Sequence, residues 1–139
     1  MTSEATGVAA TFVWLGMVVA ISFLEAPLKF RAPGVTLAIG LGIGRLVFRA
    51  LNVAEVLLAL VVIVAIVDGV RRSASILVGI AVVALIAQLI ALRPRLRRRT
   101  DAVLRGETGR RSRAHLGYIV LETVKVPVLL AAGVLMLAG

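Results

Sequence analysis

The chain contains no cysteine, which excludes disulfides, thiolate metal sites and a cysteine nucleophile. Aromatic residues make up only 4% of its 139 positions, so a surface that reads nucleic acid by stacking bases has almost nothing to build with. Histidine occurs once, as His115, and a metal or haem site using it would need a second ligand from another chain. Acidic residues number seven against sixteen Lys and Arg. No polar stretch is long enough to bury a core of its own, so a soluble catalytic domain is not expected and the chain reads as one domain, 1–139.

What fills the chain instead is apolar sequence. At 60% hydrophobic residues with a mean hydropathy of +1.06, it is well above the roughly 45–50% apolar content of soluble domains. Four apolar stretches, at about 7–26, 45–67, 75–92 and 116–137, predict an all-α bundle of four transmembrane helices. The opening MTSEATG carries Glu4 and no basic segment, which is unlike a secretory signal. Arginine outnumbers lysine fourteen to two in a background of Ala, Val and Gly, a composition expected of a GC-rich bacterium.

The positive charge is concentrated in one connection. Nine of the sixteen Lys and Arg residues lie between Arg93 and His115, opposed only by Asp101 and Glu107. By the bias of Lys and Arg toward the cytoplasmic side, this connection is expected in the cytosol and both termini outside. Lys29 and Arg31 agree with that sidedness, while Arg71 and Arg72 oppose it and are outvoted. Anionic lipid headgroups, rather than nucleic acid, are the expected partner of so basic a membrane segment.

Taken in order, helix 1 is expected to stop at Pro27, which lacks a backbone donor and restricts Ala26 before it. Ala32–Gly44 is apolar but short and glycine-rich, and reads as a buried loop or a short interfacial helix. Its Gly40, Gly42 and Gly44 match neither a dinucleotide fingerprint nor a phosphate-binding loop; they serve either close packing or the approach of an anion toward Arg45 and Arg49. Helix 3 places Ala74, Ala81, Ala84, Gln88 and Ala91 along a narrow face of small residues, suited to packing within the chain or in a homo-oligomer. Pro127 predicts a kink in helix 4.

Polar residues gather at the same end of every helix. Glu25 comes from helix 1, Arg45, Arg49, Asn52 and Glu55 from helix 2, Gln88 from helix 3, and His115, Tyr118, Glu122 and Lys125 from helix 4. Glu55 and Glu122 lie too deep to reach water on short side chains, so both should face the bundle interior, with Arg45, Arg49 and Lys125 as countercharge. Each residue also has a bland reading: Glu122 and Lys125, or Glu25 and Lys29, are spaced to neutralise one another along one helix, and Trp14 to fill the core.

The stretches Glu25–Phe30 (EAPLKF), Gly40–Phe48 and His115–Lys125 (HxxYxxxExxK) together resemble uncharacterised four-span bacterial membrane proteins, a resemblance that implies no activity. Trp14, Ala20, Ile21 and Glu25 are also similar to the first helix of the small multidrug resistance transporters. Here the glutamate stands one residue further on and is followed by Pro27, and the long basic connection departs from that family's compact loops. The expectation is therefore a bacterial inner-membrane protein with no enzymatic chemistry, no cofactor and no metal. Its polar cluster faces the cytosol, where it binds or transports a small anionic ligand or lipid headgroup. The alternative is a structural or accessory subunit whose charges lock the helices together.

Overall fold

In a computed structural model the chain is all-α. The structure describes residues 2–106 and 113–139, residues 113–115 by their backbone alone, and no strand occurs among them. Four helices carry the fold: α1 (Ser3–Arg31), α2 (Leu37–Val67) and α3 (Arg72–Leu104), and α4 (Arg113–Leu137). All four are long and apolar enough to cross a bilayer. Their outward faces are apolar as well, with Leu46, Val64, Val83 and Ile90 among the exposed side chains, which is the surface a lipid environment requires.

The helix boundaries depart from those read in the sequence. Helix α1 does not stop at Pro27; the chain opens into a π-helical stretch at Val19–Glu25, in which Ala26 N–H bonds back to the carbonyl of Ile21, and continues to Arg31. Helix α3 does the same before Pro94, with a π-helical stretch at Gln88–Leu92 and Arg93 N–H bonded to Gln88, and its last turns take in the first half of the basic connection. In both places the residue before proline bonds five residues back, and the wider turn lets the helix pass a residue that has no donor. Glu107 to Ser112, the middle of that connection, lie outside the described residues. Pro127, in contrast, sits inside an unbroken α4.

The glycine-rich stretch is helix rather than loop. Thr36 caps α2 by accepting a hydrogen bond from Ile39 N–H at 3.2 Å, so α2 starts eight residues before the expected Arg45 and spans about 46 Å at 1.5 Å per residue. Gly40 and Gly44 let the end of α1 come close: a Cβ at Gly40 would lie 2.1 Å from the Phe30 ring, and one at Gly44 would lie 2.8 Å from Lys29 Nζ. Packing is what these glycines serve. The turn from α2 to α3 is tight, with Gly69 at φ +116°, a conformation that a side chain would disfavour.

The helices form a ring in the order α2, α1, α4, α3. At the end that holds the chain termini, Ala10, Val62, Ala74, Val78, Ala132 and Met136 bring all four together, and Ser3 Oγ donates to Asp68 Oδ2 at 2.8 Å. A second layer of Trp14, Val18, Ala59, Ala81, Leu85 and Leu129 fills the centre. Toward the opposite, basic end the ring loosens on one side. There α2 and α3 touch sparsely, and α2 meets instead the Arg93–Leu104 extension, through the ion pair of Arg45 with Asp101.

The small-residue face of α3 packs inside this bundle. Ala74, Ala81, Ala84 and Gln88 are buried, but Ala91, placed beyond the start of the π-helical turn, is exposed. This corrects two expectations at once: Ala91 is off the face, and the face is occupied within the chain rather than free to join a second copy. Replacing Ala84 by Leu should overpack the core and lower stability by about 1–3 kcal/mol, whereas Val83→Leu on the exposed side should change it little. Thermal unfolding of both variants in detergent checks this, and equal shifts would contradict the assignment.

Candidate functional site

Four helices each send one or two polar side chains to a single point in the bundle, and Lys125 of α4 is at its centre. Its ammonium has three protons and meets three acceptors: Glu55 Oε1 of α2 at 2.6 Å, Gln88 Oε1 of α3 at 2.7 Å, and Glu122 Oε1, one turn earlier on α4, at 2.5 Å. Gln88 turns its amide nitrogen to Glu122 Oε1 at 2.7 Å, so its oxygen faces the cation and its NH2 the anion. From α1, Trp14 Nε1 donates to Glu55 Oε1 at 2.9 Å and Ser22 Oγ donates to Glu122 Oε2 at 2.6 Å. Glu55, Gln88 and Lys125 are wholly inaccessible and Glu122 nearly so.

The two π-helical stretches help to build this site. Ser22 lies within the one before Pro27 and Gln88 opens the one before Pro94, and these two residues grip the two oxygens of Glu122 from opposite helices. The network is almost closed. Among the described residues Glu55 Oε2 is the one oxygen of the pair of carboxylates that is buried without a partner. Two carboxylates against one ammonium also leave one formal negative charge, which a low-dielectric interior disfavours.

The remaining predicted residues lie elsewhere. Asn52 is buried one turn from Glu55 and accepts a hydrogen bond from the Tyr118 hydroxyl at 3.4 Å, while the Tyr118 ring stands edge-on to Phe48 with centroids 5.6 Å apart. Glu25 pairs with Lys29 at 3.7 Å at the end of α1, apart from the network. The side chain of His115 lies outside the described residues. Arg45 and Arg49 do not supply countercharge to the glutamates, as the sequence had suggested. Arg45 pairs with Asp101 and Arg49 is exposed. At about 100° per residue they stand about 80° and 120° around the helix from Glu55, too far to share its face.

Beside the network lies a groove of about 340 Å³ between α2 and α3, where the ring is loose. Val53, Val56, Leu57 and Leu89 form its apolar wall, Asn52 its polar contact with the interior, and Arg49, Arg93 and Arg97 its basic end. Among the described residues no acidic side chain pairs with these three arginines. Comparison with family models, with curated proteins and with solved structures finds no match to this chain.

Sequence reading missed Ser22 altogether and took Trp14 only as packing. A buried indole N–H needs an acceptor, and that requirement was the available signal for Trp14. Removing the cation should be far worse than removing one anion: Lys125→Met leaves two buried carboxylates facing one another and should cost about 3–5 kcal/mol. Glu55→Gln keeps an acceptor for Trp14 and Lys125 while removing the excess charge, so its unfolding temperature should stay within a few degrees of the parent. Chemical or thermal unfolding in detergent compares the two, and a Glu55→Gln loss as large as that of Lys125→Met would show the counting of charges to be wrong.

Proposed function

We propose that the protein resides in a bacterial plasma membrane with its basic end in the cytosol, and that it binds a small anionic group there, either a free anion or a lipid headgroup. The observation that carries this reading is the set of three arginines, Arg49, Arg93 and Arg97, converging on one groove without an acidic partner among the described residues. Cations held together without an anion repel one another, and a phosphate or carboxylate relieves that repulsion through the paired N–H donors of the guanidinium. The buried Glu55–Lys125–Glu122 network has a different part in the proposal: it locks the helices that form the groove. Binding is favoured over passage through the bundle, because Trp14, Val18, Leu85 and Leu129 fill the centre.

A second reading, an accessory subunit whose charges only hold its own helices, draws support from how nearly the network satisfies itself. The two readings separate on ligand binding. Purified protein should retain either inorganic phosphate or phosphatidylglycerol, and Arg49→Gln with Arg93→Gln should weaken that retention at least tenfold without lowering the unfolding temperature. Binding should also fall as salt rises, since exposed arginines are screened. Retention of neither probe would leave the accessory reading standing.

Orientation has its own test. A thiol introduced in place of Ser73, in the first turn of α3 at the terminal end, should react with an impermeant reagent added to intact cells, and one in place of Ser112 should not. Labelling of Ser112→Cys from outside would overturn the cytosolic placement of the basic end and of the groove with it.

A further inference from the structure

We infer that the groove between α2 and α3 seats an anionic phospholipid taken from the membrane itself, its phosphate held by Arg49, Arg93 and Arg97 and one acyl chain lying along Val53, Val56 and Leu57. This rests on the anion-binding reading and adds the class of ligand.

The groove has two chemistries arranged in the order in which a lipid carries them. Its arginines lie toward the basic end of the helices, and its valines and leucines lie deeper. From Arg49 to Leu57 the backbone of α2 rises about 12 Å toward the centre of the span, a direction that takes a headgroup at the membrane boundary into the acyl region. A free anion would meet only the arginines and leave the apolar wall bare.

The groove also faces sideways. Val53 and Leu57 are each more than half exposed, so a chain reaches them from the surrounding lipid without passing through water. On the inner side the site is shut, because Asn52 is engaged by Tyr118 and the side chains of Glu55 and Gln88 turn away into the Lys125 network. The occupant therefore enters and leaves laterally. Its acyl chain would supply the contacts that α2 and α3 lack over this stretch, where the other adjacent helices of the ring pack directly.

Charge selects among lipids. Three guanidinium groups suit a headgroup with a net negative charge, such as phosphatidylglycerol, over a zwitterionic one whose ammonium would sit among them. The groove also separates this site from general lipid contact, since Val64, equally lipid-facing but outside it, has no arginine beside it in the groove lining.

Native mass spectrometry of the detergent-purified protein tests the assignment with phosphatidylglycerol and phosphatidylcholine of the same chain length. Phosphatidylglycerol should be retained at least tenfold more than phosphatidylcholine, and Arg93→Gln with Arg97→Gln should abolish that preference. Val56→Trp, which fills the apolar wall, should reduce retention, while Val64→Trp should leave it unchanged, with unfolding temperatures confirming that both variants fold. Excess inorganic phosphate should not displace the lipid. If phosphate displaces it and Val56→Trp has no effect, the site takes a free anion and the lipid assignment fails while the anion reading survives. Equal retention of both lipids, or equal loss in the two tryptophan variants, would also overturn the lipid site, and retention of neither lipid nor phosphate would remove both readings.

Discussion

A single ammonium group holds this bundle in register. Lys125 is buried with no access to solvent, and it stays there because α2, α3 and its own helix each present an oxygen to one of its protons. The same oxygens are shared with donors from α1 and α3, so every helix of the ring is tied to the same point. Apolar packing between membrane helices is permissive about sliding, since lipid tails are as apolar as the helices themselves. A slide of one turn, about 5.4 Å, would carry Glu55 or Gln88 out of reach of Lys125 and strand a buried charge. The network therefore specifies one alignment among several that the Ala, Val and Leu layers would tolerate.

Much of that network is legible in the sequence, because an ionisable residue amid apolar ones is expensive and must find a partner. Glu55, Gln88, Glu122 and Lys125 stand out on that ground, and so do the four helices and the polar end they share. What escapes is set by backbone geometry. Ser22 and Gln88 lie in π-helical stretches, where an extra residue per turn shifts everything that follows relative to the 100° rule. Ala91, placed on the buried face by regular α-helical counting, is turned outward for this reason. Pro27 and Pro94 are the visible causes, and they were read as helix ends when both helices in fact pass through them. Gly40 and Gly44 were misread in the opposite sense, as marks of a loop, because what they accommodate, Phe30 and Lys29, comes from a different helix.

The arginines show a different limit. Periodicity placed Arg45, Arg49, Asn52 and Glu55 on one side of α2, but that side is a wide arc whose inner edge faces the core and whose outer edge faces the neighbouring seam. Asn52 and Glu55 fall on the first, Arg49 on the second. One helix wheel does not say where the next helix ends its contact. Here α3 extends to Leu104 and captures Arg45 with Asp101, leaving Arg49 to share the groove with Arg93 and Arg97.

The position of the groove follows from these two constraints together. Lys125 draws α2 and α3 toward α4 and α1 at the level of Glu55 and Gln88, and the Arg45–Asp101 pair joins α2 to the α3 extension nearer the basic end. Between the two ties lie Arg49 and Asn52 on one helix and Leu89 and Arg93 on the other, and there no direct ion pair among the described residues draws the helices together. Three cations on facing walls resist closure of the seam, while apolar side chains one or two turns deeper give up water only if something apolar covers them. An open seam lined in this order is thus a product of the same polar residues that close the core, and its like charges keep it open until an anion enters.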